Sequence, residues 1–581
     1  MKNLLYIPLA VLGAWLLYPI LYPVPVEGFS GAILGLGIHL AQGDLAGFDH
    51  VQPLHVEFFA LSKLGAVLGI AGLMKGLGVD GATALKFLVW GGEALLLVST
   101  FVLVRRWSGA SPLVAAVAIL LVPGAIENSF YLSENVLAAA FTTAALVCFG
   151  TGSRVLAPLI GGALFGLGVL TRPDVVFAGV AVPLLVLEHS GLSRRSAVSL
   201  AAAAVGGALT WLGPLFALGV TPFDILKIGN HTIQLWSHPV SYPRHIREFV
   251  TFVGLPAGVL ATIGMVALIR QRALLRLAVL LGPIILVNAV FAGMLWQSRQ
   301  ALNLTPFVVT LTAIGVMQLL PSPTAGRLGL WARGAAAAAI AAILFVPSRV
   351  GYDDGPRHYW GRVQSVVYWR DWQRGVAAEM ATIRGVVETD RPGLRVIITD
   401  NWNPDRYVHV ALVDAGFRAQ VPAQIEPACA KIAESFERGP QRILHVRIFQ
   451  GFLKESLVLR HERLETLVRP CLAAISPVET VLVTSEDILG IMQGGTDVAM
   501  LWPAPTNGIV ENLLQRMFPP KPSTITALAV DAAVLDRMST ACAALAAEAR
   551  RRLTAMGYVP RTASEAIDVT NRRIIPFPKD E

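Results

Sequence analysis

Residues 4–59 read LLYIPLAVLGAWLLYPILYPVPVEGFSGAILGLGIHLAQGDLAGFDHVQPLHVEFF. The first part, 4–24, carries no charge and has the ~20-residue apolar length that crosses a bilayer. The part that follows, from Glu27 to Glu57, holds four acids (Glu27, Asp44, Asp49, Glu57) and three histidines (His39, His50, His55). A span that delivers the chain straight into a dense set of ionisable groups reads as the entrance to a polar site. The first segment is long and aromatic and lacks a small-residue cleavage site ahead of soluble sequence. It is therefore read as a retained span and not a cleaved signal.

Composition widens this reading to most of the chain. Of 581 residues, 54% are hydrophobic and 15% charged, against about 25% charged in soluble domains. The charges are unevenly placed. Residues 1–347 hold 19 basic and 12 acidic side chains, whereas the shorter stretch 348–581 holds 28 and 27. That shift marks a boundary between a transmembrane part, 1–347, and a water-soluble part of ordinary composition, 348–581.

Apolar runs near 4–24, 83–104, 111–126, 131–151, 155–170, 174–188, 197–219, 249–269, 277–295, 302–320 and 333–347 predict about eleven transmembrane helices. Basic residues cluster in alternate loops: Arg105–Arg106, Arg154, Arg194–Arg195, Arg270–Arg272–Arg276 and Arg327–Arg333. By the positive-inside rule these loops face the cytoplasm. The long first loop, 25–82, then lies outside, and an odd number of spans sends the C-terminal part outside as well. The net charge of +8, carried almost wholly by the membrane part, is read as topology and lipid contact, with no nucleic-acid partner.

Within the first loop, Phe29, Ile33, Leu36, Ile38 and Leu40 predict one helix lying along the membrane surface. Leu54, Phe58, Leu61 and Leu64 predict a second, opened by Pro53. The soluble part alternates strand-like runs (Leu394–Asp400, Ile443–Phe449, Thr480–Thr484, Val498–Trp502) with helical ones (372–388, 426–438, 525–556), which predicts a small α/β domain. It carries no Gly-rich phosphate loop, nucleophile elbow or zinc spacing. Among the four cysteines, Cys429 and Cys471 are the pair favoured for a disulfide if this part lies outside the cytoplasm. Unpaired buried thiols explain them equally well.

Several residues are candidates for chemistry. Glu27 is the first acid beyond the first span, where an ionised group is costly unless it has a role. Asp44, Asp49 and the histidines offer donors of the kind that bind divalent cations, but their spacing matches no standard site, so no resident metal or cofactor is expected. Lys63 either faces a phosphate or snorkels. Glu134 opens an apolar helix in YLSENVL, where capping competes with a role as a second acid. Arg172 stands at the helix break made by Pro173 and could hold a phosphate or pair with Asp174. Arg299 marks another span end. His231 sits in a loop of mixed aromatic and polar residues (Lys227, Trp236, His238, Tyr242, Arg244) suited to a sugar or headgroup.

At these residues the chain resembles the GT-C superfamily of membrane glycosyltransferases that use polyprenyl-phosphate sugars, which includes the protein O-mannosyltransferases and lipid A aminoarabinose transferases. The resemblance spans roughly residues 1–350. It rests on VEGFSGAILGLGIHLAQGDL, HVQPLHVEFFALSKL, YLSENVLAAAFTTAALVCF, GGALFGLGVLTRPDVVFAGVAVPLLVL and SRQALNLTPFVVTLTAIG, in that order. The family's usual Asp or Asp-Glu is replaced here by Val26-Glu27.

The resemblance implies a multi-pass protein of the inner (plasma) membrane. It would move a sugar from a polyprenyl-phosphate donor to an extracytoplasmic acceptor. Glu27 is expected as general base, with Asp44 and Asp49 in reserve. Arg172, Arg299 and Lys63 are expected on the phosphate, and Glu134 and His231 near the substrates. No cofactor is implied, although a divalent cation is compatible with these donors. The competing class is a polytopic transporter or lipid-linked-sugar flippase. The absence of repeated halves in the sequence argues against it.

Overall fold

The computed structural model describes residues 29–43, 61–122, 124–125, 133–149, 155–226, 229, 245–246, 249–250, 252–292, 298–319, 348–349, 359–360, 378–400, 402–419, 426–430, 432–448, 455–495 and 525–555. The helical body comprises α1 (Phe29–Gln42), α2 (Leu64–Leu77), α3 (Gly81–Ser108), α4 (Pro112–Leu121), α5 (Glu134–Cys148), α6 (Leu156–Thr171), α7 (Ala181–Ser190), α8 (Arg194–Ala217), α9 (Leu255–Arg270), α10 (Leu274–Phe291) and α11 (Thr305–Leu319). Three 3-10 segments, Leu61–Lys63, Pro173–Val180 and Ser298–Leu304, lead into α2, α7 and α11.

Helix α3 shows how local sequence sets the boundaries. Asp80 caps its start, accepting from the Thr83 N–H at 2.9 Å, and Gly109 ends it in the left-handed conformation (φ 70°). Arg105 and Arg106 occupy the last turn, where the helix dipole favours cations. Among the described residues, five helices are long and apolar enough to cross a membrane: Gly81–Ser108, Pro173–Ser190, Arg194–Ala217, Leu274–Phe291 and Gln300–Leu319. Each coincides with an expected span. Four shorter apolar helices, α4, α5, α6 and α9, occupy four further ones. The runs at 4–24 and 333–347 lie outside the described residues.

The bundle closes around α11, which is buried throughout residues 305–316 and shows no polar face. Helices α6 and α8 touch backbone to backbone, and a Cβ at Gly162 or Gly206 would run into a carbonyl of the other helix. Small residues are what permit so close an approach between spans.

Helix α1 forms where expected, and it is covered by protein on more than one side. Residues 33–39 are all buried, with α2 and α3 on one side and a helix of the C-terminal part on the other. Its sequence explains this. GAILGLGIHL has no polar face to present to water or headgroups, so both sides need cover. Of the second expected surface helix, only its end is described. Leu61–Lys63 turns directly into α2, an apolar helix that the sequence reading left inside the loop.

The C-terminal part is a six-stranded sheet of order β4-β5-β6-β3-β7-β8, with β3 Gly393–Thr399, β4 Arg418–Ala419, β5 Ala433–Arg438, β6 Gln441–Arg447, β7 Glu479–Ser485 and β8 Ile525–Ala529. A two-stranded pair, β1 Ser348–Arg349 with β2 Tyr359–Trp360, precedes it. Strand β3 runs parallel to both β6 and β7, with Val396 opposite Leu444 and Thr480. Its continuous apolar run is what a strand covered on both faces requires. Helices α12 (Trp402–Asp414), α13 (Glu455–Arg463), α14 (Arg469–Ala473), α15 (Glu486–Met492) and α16 (Ala532–Ala555) pack around it.

Three of the expected strands are present, and Val498–Trp502 lies outside the described residues. The expected helix at 372–388 is helical over 378–387 of its described part, 378–388. The helix expected at 426–438 is instead a turn followed by β5. Gly439 (φ 57°) and Pro440 form a two-residue turn that pairs Arg438 with Gln441 and folds β5 onto β6. The run 525–556 divides into β8 and α16. Cys429 and Cys471 form a disulfide, with Cα atoms 4.7 Å apart.

Candidate active site

Three of the sequence-selected residues meet at one place. Ser133 caps α5 with its hydroxyl, accepting from the Asn135 N–H at 3.2 Å, so that Glu134 and Asn135 open the helix side by side. Arg172 ends α6 in an extended conformation, because the following Pro173 disfavours a helical residue before it. The break turns Arg172 across to α5. Its guanidinium donates to Asp174 Oδ1 at 2.6 Å, to Glu134 Oε1 at 3.4 Å and to Asn135 Oδ1. The Asn135 amide in turn donates to Ser133 Oγ. The Arg172, Glu134 and Asp174 side chains are each more than four-fifths buried.

Lys63 joins from a third element. The start of α2 presses onto the end of α6, where Gly65 leaves no room for a Cβ beside Thr171, and the Lys63 charge acts on Asp174. Two cations thus face two carboxylates. The cluster as a whole is neutral, which makes its burial tolerable. The 3-10 segment Ser298–Leu304, which carries Arg299, packs against α5 and against Pro173–Val180. On the same segment, Asn303 Oδ1 is buried with no hydrogen-bond partner among the described residues, as is Thr305 Oγ1 at the start of α11. Glu27, Asp44, Asp49 and His231 lie outside the described residues. Glu27 precedes α1 by two residues and Asp44 follows it by two, so α1 sets the places from which both acids depart.

The sequence reading missed Asn135, Asn303 and Glu93, and took Ser133 only as the residue before Glu134. A polar triplet, Ser133-Glu134-Asn135, opening an otherwise apolar helix was the available signal for Ser133 and Asn135. Glu93 is a lone acid in GGEALLLV, in the interior of α3. It is buried, and neither carboxylate oxygen has a hydrogen-bond partner among the described residues. Its neighbour Gly92 packs against Leu137, one turn along α5 from Glu134. An ionisable residue at such a depth is a functional candidate by default.

Multiple apolar spans and a buried polar cluster at helix breaks, with a mixed sheet attached, describe a membrane-protein fold. In fold the chain is similar to ArnT from Cupriavidus metallidurans, whose crystal structure is bound to undecaprenyl phosphate. The TM-score is 0.50 and the identity 13%, over 85% of this chain and 95% of that one. The Archaeoglobus fulgidus oligosaccharyltransferase AglB, in complex with an inhibitory peptide and a dolichol-phosphate, matches with TM-score 0.44 and 13% identity, over 83% of this chain and 70% of that one. No family model and no curated protein matches the sequence.

Proposed function

We propose that the protein is an integral membrane glycosyltransferase that moves a sugar from a polyprenyl-phosphate donor to an extracytoplasmic acceptor. The observation that carries this reading is the convergence of Lys63, Glu134 and Arg172 at a helix break in a chain with this fold. The ArnT structure of the same fold holds a polyprenyl phosphate.

The chemistry follows from the cluster. The departing phosphate develops negative charge as the glycosidic bond breaks, and prepositioned cations stabilise that charge most effectively in a site with little water. Arg172 offers a planar fork suited to two phosphate oxygens, and Lys63 offers a point charge. Because the cluster is already neutral, an incoming phosphate must replace an acid. The 3.4 Å contact to Glu134 is the one it displaces, while the 2.6 Å bond to Asp174 keeps the guanidinium in place. Arg299 supplies the additional positive charge from its neighbouring segment.

Glu27 takes the acceptor proton as general base, with Asp44 and Asp49 as reserves, and His231 contacts the sugar. The 348–581 part stands outside the cytoplasm and presents the acceptor.

The test is label transfer from radiolabelled polyprenyl-phosphate sugars to acceptors by the purified protein. Wild type is expected to transfer, and Glu27→Gln is expected to bind donor without transferring it. Transfer that persists in Glu27→Gln would remove Glu27 as the base. No transfer from any such donor, together with donor movement across vesicles, would replace the enzyme by a flippase.

A further inference from the structure

The end of the bundle away from Arg172 contains a second polar place. Helix α5 starts at the Arg172 cluster with Glu134 and ends in a cavity with Phe149. The segment from Pro173 to Ser190 likewise starts beside Arg172 and ends there with Glu188 and His189. At ~1.5 Å per residue, α5 alone separates the two places by roughly 20 Å. The cavity measures about 280 Å³, and Arg106, Trp107, Glu188, His189 and Arg276 line it together with Phe149.

Its charges are arranged unequally. Arg276 is committed: Nε donates to Glu188 Oε1 at 2.8 Å and Nη1 to the Trp107 carbonyl at 3.4 Å. Arg106 donates to the Val147 carbonyl at 3.1 Å, which satisfies one N–H but leaves its charge unbalanced, and among the described residues it has no acidic partner. The floor is firm, since the buried Trp107 ring stacks on Phe307 with centroids 6.0 Å apart. Val98, Val102 and Arg106 recur at every fourth residue, on one face of α3. Val98 is 56% and Val102 40% exposed, so an aliphatic stripe open to the bilayer leads directly to the unbalanced guanidinium.

We propose that this cavity binds the phosphate headgroup of an anionic membrane lipid, with an acyl chain lying along Val98 and Val102. Guanidinium groups from two helices, set between spans where the basic loops gather, are the chemistry that recognises such headgroups. The valine stripe favours a lipid over free phosphate, which has nothing to place there. The site is independent of the transfer reaction and would stand if that reading failed.

The experiment is native mass spectrometry of the full chain in mild detergent, titrated with phosphatidylglycerol or phosphatidylcholine. Wild type is expected to retain phosphatidylglycerol in preference. Arg106→Gln should weaken retention roughly tenfold, the loss of one charge-assisted phosphate contact. Arg276→Gln combined with Glu188→Gln removes the neighbouring pair without stranding a charge, and should weaken it similarly. That double variant also serves if Arg106→Gln does not fold. Arg194→Gln, outside the cavity but at the start of α8, should leave retention unchanged. Equal retention of both lipids, unaltered binding in the cavity variants, or an equal loss in Arg194→Gln would each overturn the proposal. Displacement of the lipid by inorganic phosphate would overturn the lipid assignment in favour of free phosphate.

Discussion

Two buried charge clusters occupy the two halves of the molecule, and they are built in opposite ways. In the helical body a single guanidinium, Arg172, is shared by two carboxylates, Asp174 and Glu134. In the sheet a single carboxylate, Glu434, is shared by three nitrogen groups: Arg447 Nη2 at 2.9 Å, His409 Nδ1 at 3.2 Å and His445 Nδ1 at 3.8 Å. The first cluster stands where helices break or begin, with Arg172 and Asp174 at the break after α6 and Glu134 at the start of α5. The second is held by a ladder in which Glu434 and His445 are direct partners across β5 and β6. Groups at helix ends can exchange partners with a substrate without disturbing the backbone. Groups on paired strands cannot, and their geometry suits fastening. His409, on α12, reaches Gly35 of α1, where a Cβ would stand 2.9 Å from Nε2. The sheet cluster thus holds the cover over α1.

The sharpest way to break this comparison is Arg172→Gln. It leaves two buried carboxylates with Lys63 as the remaining cation of the cluster, and removing one partner of such a cluster costs about 3–5 kcal/mol. Thermal unfolding in detergent should show the loss, and label transfer should fall to background. The double variant Arg172→Gln with Asp174→Asn should recover much of the stability and none of the transfer. If both properties returned together, Arg172 would be structural only.

Breaking the disulfide comes next in size. Cys429 and Cys471 are 42 residues apart, a closure worth about 4 kcal/mol in the chain-entropy model. Cys429→Ser with Cys471→Ser should therefore lower the sheet's resistance to proteolysis while leaving the helical body intact. Simultaneous unfolding of both would show that they form a single cooperative unit.

Smaller effects are expected at the fastening. Gly35→Ala pushes a methyl group toward His409, and overpacking of this kind costs about 1–3 kcal/mol. Glu434→Gln removes the charge that holds His409 and Arg447. Both variants should increase hydrogen exchange across Phe29–Gln42. An effect of Glu434→Gln confined to β5 and β6 would uncouple the sheet from α1.

The same contrast explains what was legible in the sequence. Arg172 could be read because a proline beside it forces a break, and Glu134 because it follows a capping serine. These are local signals. The spans could be read because hydrophobic length is a local property too. The Glu434 cluster could not be read, since its members are 11 to 25 residues from Glu434 and meet only through strand pairing and the docking of α12. Assigning 426–438 to a helix removed Glu434 from its true neighbours at the outset. The overlooked signal was Gly439-Pro440, which turns the chain back. Helix α1 was placed correctly along the chain, but an apolar helix does not show in its sequence which elements will cover it, so the contact with α12 could not be read.

The smallest predicted effect concerns another buried acid, Asp400, at the end of β3. Burial pushes its pKa above the ordinary 3.8, outweighing the opposing pull of Arg460 and of the Thr484 hydroxyl that donates to Oδ2 at 2.7 Å. A carboxyl whose pKa is raised on folding binds its proton more tightly in the native state. The stability it contributes is therefore complete below pH 3.8 and is lost as pH rises through the folded pKa. Asp400→Asn keeps the shape and the acceptor for Thr484 but has no proton to lose. The difference in unfolding free energy between Asp400→Asn and wild type should thus grow in favour of the variant as pH rises from 4 toward the folded pKa, by about 1.4 kcal/mol per pH unit. A difference that stays flat, or that favours wild type at neutral pH, would mean that Arg460 keeps Asp400 ionised and that the sheet holds an ion pair there.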